Sequence, residues 1–147
     1  MSLLAVLFTL HLLGIVVWLG SAVLIPLVIL PIAQDLDIPT QQKLLAALLK
    51  RLAPWYVGAM VVVGFTGGVQ TVQMSDLSIP ILVSKHIVTL PLIGLGIYLG
   101  LGPLRRLGHA AEIDEERRRT WKRLMLWAWV QAALSVALLF IVGLLTA

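Results

Sequence analysis

The sequence predicts an all-α membrane protein: a polytopic four-helix bundle formed by a single four-span domain over residues 1–147. Three observations predict it. Hydrophobic residues make up 60% of the chain and charged residues only 12%, where a water-soluble chain carries about 25% charge. Mean hydropathy is +1.01. Four apolar runs are long enough to cross a bilayer, which takes about 20 residues each.

The first run covers about residues 3–32. It is longer than one crossing needs, and Pro26 and Pro31 are expected to bend its end. Residues 1–22 lack the basic start of a signal peptide, so the run is expected to remain as a helix. The next segment, "TQQKLLAALLKRL", places Leu44, Leu45, Leu48, Leu49 and Leu52 on one helical face, with Thr40 as the expected N-cap. It reads as an interfacial amphipathic helix in the first loop. The second, third and fourth spans cover about 54–73, 79–102 and 123–146. Between the last two, Asp114–Arg118 and Glu115–Arg119 pair at i,i+4 spacing and read as a solvated extension of the fourth helix.

Charge sets the expected orientation. Lys43, Lys50 and Arg51 lie between spans one and two. Arg105, Arg106, Arg117, Arg118, Arg119, Lys122 and Arg123 lie between spans three and four. Both termini and the "MSDLS" connection hold no Lys or Arg, so both basic loops are expected inside and both termini outside. The net charge of +4 is thereby a topology signal, and nucleic acid is not an expected partner; the lipid bilayer is.

The chemistry the chain can carry is narrow. With no cysteine there is no disulfide, thiolate site or covalent haem attachment. Asp35, Asp37, Asp76, Glu112, Asp114, Glu115 and Glu116 all fall in loops, which argues against proton-coupled catalysis or transport by intramembrane acids. His109 reads as an exposed loop histidine. His11 and His86 lie inside spans, where a polar side chain is costly and usually marks a site. The two spans run in the same direction, with His11 about eight residues into one and His86 about seven into the other, so both rings reach roughly 10–12 Å depth.

Two histidines at matched depth on non-adjacent spans suit the axial pair of a b-type haem, or two ligands of a copper site. The plainer alternative is that each hydrogen-bonds a neighbouring helix. Gly14, Ile15, Trp18 and Ala22 continue the His11 stripe on one side, and Phe8 and Leu4 on the other. Gly64, Gly67 and Gly68 in "GFTGG" would give a flat macrocycle room, or give helices close packing. Lys85 either snorkels to the surface or pairs with a haem propionate.

These segments bear a family likeness. "LHLLGIVVWLGS" at 10–21 resembles the first-helix pattern of the copper resistance protein D (CopD) family. "RLAPWYVGAMVVVGFTGG" at 51–68 and "SKHIVTLPLIGLGIYLGLGPLRRL" at 84–107 are similar to that family's Arg-led and Lys-led helices. The resemblance implies copper uptake across the bacterial inner membrane. The layout also resembles the HemJ-type protoporphyrinogen oxidases, which implies haem binding. There the Lys-led helix carries its histidine about three turns later, near Tyr98 here, whereas His86 directly follows Lys85. That departure argues against oxidase activity and leaves His11 untouched.

Haem is the leading expectation, because two neutral nitrogens complete a bis-histidine iron site. It would serve membrane electron transfer with a redox partner. Copper comes second: Cu(I) favours soft ligands, and only Met1, Met60, Met74 and Met125 supply them. An accessory subunit of a larger membrane complex is third. Any chemistry would be the cofactor's, so a self-contained enzyme is not expected.

Overall fold

The computed structural model describes residues 2–73, 79–109 and 114–146. Within its helices the side chains of residues 71–73, 79–82, 84–86, 109, 114 and 141–146 lie outside the described set. So do Met74 and Asp76 of the "MSDLS" connection, and Glu112.

Every described element is helical. Helix α1 (Leu3–Leu24) runs through a π-helical segment, Ile25–Ile29, into α2 (Leu30–Gln34), forming one rod. Helix α3 (Ile38–Gln73) is the second rod. Helix α4 (Ile79–Leu99), a second π segment (Gly100–Leu104) and α5 (Arg105–His109) form the third, and α6 (Asp114–Thr146) is the fourth. All four are long and apolar enough to cross a membrane. Each π segment contains a proline, Pro26 or Pro103. Proline has no N–H to give and its ring crowds the carbonyl one turn back, so a widened turn accommodates it without breaking the helix.

The rods pack as a bundle. α1 lies on α3 and α6, while α4 lies on α6 and its π segment and α5 reach α3. This sets α1 and α4 diagonally, each flanked by α3 and α6. One core cluster joins Trp18, Leu19, Ala59, Met60, Val63, Leu92 and Leu138; a second, toward the basic end, joins Leu30, Ala33, Leu45, Leu99, Leu107, Leu124 and Ala128. The outside of the bundle is apolar too: Val16, Val61, Phe65, Leu90, Leu101 and Leu126 are all exposed. A belt of that kind is stable facing lipid tails.

The first loop differs from its expected form. Residues 40–52 are not a separate interfacial helix but the opening turns of α3, and Leu45 is fully buried against protein. Gly108 makes this possible, since a Cβ there would stand 3.3 Å from the Ala46 amide nitrogen. Nor is Thr40 the cap. Asp37 is: its carboxylate accepts from the Thr40 N–H at 3.2 Å and its carbonyl from the Gln41 N–H at 2.9 Å. The Thr40 hydrogen bonds hold the Asp37 carboxyl below its ordinary value of 3.8. Because the folded value is the lower one, the cap's stabilisation is present above 3.8 and is lost as pH falls through the folded value. Amide exchange at Thr40 and Gln41 should therefore gain extra protection loss below that pH. Asp37→Asn, which cannot titrate, should remove this pH dependence.

The charged extension of α6 is only partly solvated. Glu115 and Arg119 pair at 3.0 Å on the surface. Arg117 is buried, donating to the Gln41 side-chain carbonyl, and Gln41 donates in turn to the Ala33 carbonyl at 2.8 Å. That chain ties α6 to α3 and α2.

Candidate functional site

His11 is buried on α1, and its Nδ1 lies 2.8 Å from the Thr66 hydroxyl on α3. The Thr66 hydroxyl also lies 2.6 Å from the Val62 carbonyl. A hydroxyl has one hydrogen, and a carbonyl can only accept. Thr66 therefore donates to Val62 and accepts from His11, which fixes the proton of the neutral ring on Nδ1. Nε2 is then the nitrogen that carries the lone pair. One turn further along α3, Gln70 has its side-chain Nε2 buried with no acceptor among the described residues. Such an orphaned donor suits an oxygen-bearing acceptor one turn from Thr66.

The stripe below His11 is as expected: Gly14, Trp18 and Ala22 are buried and Ile15 is half-buried. On the other side Phe8 and Leu4 are exposed, so His11 is the first buried residue of α1. The glycines divide by role. Gly14 serves contact, since a Cβ there would fall 2.7 Å from Val63 Cγ2 and 3.3 Å from the Ala59 carbonyl oxygen. Gly64 and Gly68 lie on the exposed face of α3, where a Cβ would meet nothing within 4 Å. Gly67, next to Thr66, is buried.

His86 stands seven residues after the α4 start at Ile79, and His11 eight after the α1 start at Leu3. Measured from Trp18 and Gly96, which meet at Tyr56, His11 lies seven residues along α1 and His86 ten along α4. The side chains of Lys85, His86 and His109 lie outside the described residues.

A second polar cluster was not anticipated. The Tyr56 oxygen on α3 accepts from Trp18 Nε1 at 3.0 Å and from Gln131 Nε2 on α6. Gly96 on α4 closes the group, because a Cβ there would stand 2.7 Å from the Tyr56 oxygen. All four rods meet at this point. The signal was present in "WAWVQAALS": Gln131 is a polar side chain at membrane depth, as His11 is, and the same reasoning applies to it.

No family model, curated protein or solved structure matches this chain.

Proposed function

We propose that this chain is a multi-pass membrane protein that holds a b-type haem between His11 and His86 and serves electron transfer within the membrane. The observation that carries the reading is the burial of His11 on α1 with its Nδ1 2.8 Å from the Thr66 hydroxyl. Metal-bound histidines usually donate their other ring N–H to a protein acceptor, and Thr66 takes that role here. His11 would then ligate through Nε2. The position of His86 in the first turns of α4, as His11 is in those of α1, supports it as the second ligand, and the Gln70 Nε2, without an acceptor among the described residues, supports an oxygen-bearing group at that end of α3. When bound, such a haem supplies one-electron exchange; the chain's own part is to orient His11 and exclude water around it. The basic segments support a cytoplasmic placement of the Asp35–Asp37 turn and of residues 110–113, with both termini outside. The CopD-like segments favour the bacterial inner membrane.

The test is an optical spectrum of protein purified from haem- and copper-replete cells. Low-spin haem absorbance is expected, abolished by His11→Ala or His86→Ala and unchanged by His109→Ala. Thr66→Val, which leaves both ligands, should weaken haem affinity by about 10–100-fold. A colourless preparation that binds Cu(I) through the same two histidines would replace haem with copper. Binding of neither would leave His11 a helix-tying residue and overturn the proposal.

A further inference from the structure

A cavity of about 260 Å³ opens on the flank of the bundle, between α3 and the rod of α4 and its π segment. Its wall is almost wholly apolar. At its rim Val57, Ile97 and Leu101 are exposed, so in a membrane the mouth faces hydrocarbon. Both π segments contribute to the wall, Ile25 and Pro26 from the first and Gly100, Leu101 and Leu104 from the second. π turns are frequent at functional sites, and here two of them, from different rods, border one space.

The polar side chains that reach this cavity are Tyr56 and Gln131. The Tyr56 oxygen already accepts from Trp18 and Gln131, so what it has left is its hydrogen. That hydrogen has no protein acceptor among the described residues. Reversing the Gln131 amide only exchanges the roles: Tyr56 would donate to the amide oxygen, and the Gln131 NH₂ would be the donor left over. Either way the pair offers the cavity a hydrogen-bond donor in a setting where an unmet one is costly.

Depth selects the acceptor. The nearest basic residues along the three helices are Arg51, Arg105 and Arg123, which lie five, nine and eight residues from Tyr56, Gly96 and Gln131. At ~1.5 Å per residue the node sits roughly 8–14 Å from that charged level. Phospholipid ester carbonyls stay at the interface, so an acceptor at this depth belongs to a molecule that dissolves in the hydrocarbon itself. The volume suits a ring, since an apolar cavity of about 150 Å³ holds benzene.

We propose that the cavity binds a neutral, lipid-soluble ketone or quinone. The ring enters sideways from the bilayer, its carbonyl oxygen accepts from the Tyr56–Gln131 pair, and its tail stays among the lipids. This site does not rest on the metal reading of His11.

The experiment uses the full chain in phosphatidylcholine nanodiscs, titrated with decyl-1,4-benzoquinone labelled with carbon-13 at its carbonyls. Saturable quenching of tryptophan fluorescence is expected, with a carbonyl infrared band shifted to lower wavenumber. Gly100→Leu should weaken binding at least tenfold. Gly100 lines the cavity and a Cβ there meets nothing within 4 Å, so the first added atom displaces nothing; an unchanged unfolding midpoint of the variant checks that the fold is retained. Tyr56→Phe combined with Gln131→Leu, which removes the donor in either amide orientation, should abolish the band shift; if it fails to fold, Gly100→Leu together with the wild-type band decides. Absence of saturable binding, or unchanged binding in Gly100→Leu, would overturn the site. Displacement of the quinone by an equal concentration of hexadecane, or by added phosphatidylcholine, would overturn the carbonyl ligand.

Discussion

Gly14→Leu is expected to force α1 away from α3 and to destabilise the bundle by about 3 kcal/mol, the upper end of the usual overpacking cost. The first atom added already falls 2.7 Å from Val63 Cγ2, and the next obstacle, at 3.3 Å, is the Ala59 carbonyl oxygen, which belongs to a helix backbone and cannot rotate aside. Val63 is β-branched and stiff about χ1, so it yields little. His11 is three residues away on the same stripe, so its bond to Thr66 should break as well. Unfolding by sodium dodecyl sulfate in mixed micelles measures the loss. Gly64→Leu is the control, since open space surrounds that position. Equal midpoints for the two variants would show that the close approach of α1 and α3 is dispensable.

Trp18→Ala should cost about 3 kcal/mol or more, by the range for large aromatic truncations. Trp18 is 2% exposed and central to the core cluster that all four rods share. Lipid tails are as apolar as the bundle interior, so this cost comes from lost packing rather than from water. Trp18→Phe keeps a six-membered ring in the core and loses the rest of the indole together with the N–H given to Tyr56. Its expected cost lies between about 1 kcal/mol, the net value of one hydrogen bond, and that of Trp18→Ala, because a smaller cavity is added to the lost bond. The same unfolding titration compares them. If Phe costs as much as Ala, the bulk that a phenyl ring restores contributes nothing, and packing by ring volume is not what holds that core.

The spans were legible because each is a long uncharged run, and composition alone sets that apart from a soluble core. Helix joints were not. The Leu44–Leu52 stripe has the same pattern whether lipid headgroups or Leu107 and Leu124 cover it, and only the tertiary fold says which. The cap at Asp37 was legible in "DIPT", where an Asx residue precedes Ile and Pro in the first turn, but Thr40 supplies an equally acceptable cap by type. At the candidate site, the His11 stripe is visible from spacing alone. The Thr66 partner is 55 residues away and has no local signature. Arg117 reads as one of three consecutive arginines, and nothing in that run distinguishes the one that turns inward to Gln41.

Two of the rods are longer than a bilayer is thick. The 36 residues of α3 extend about 54 Å and the 33 of α6 about 50 Å, against a hydrocarbon thickness of about 30 Å. Neither helix breaks where lipid gives way to water, so the helix ends do not define how far the molecule sinks. Its vertical seat is set by side chains, chiefly the basic residues, and along α3 these run from Lys43 to Arg51, about 12 Å of axis. A graded ladder of charges of this kind fixes no single height. In a thicker membrane the bundle can settle by a turn, drawing more of its continuous apolar surface into the lipid, with each arginine or lysine reaching for the headgroups from a new level. A mismatch in thickness would then be met by displacement along the membrane normal, without straining the packing around Trp18 and His11.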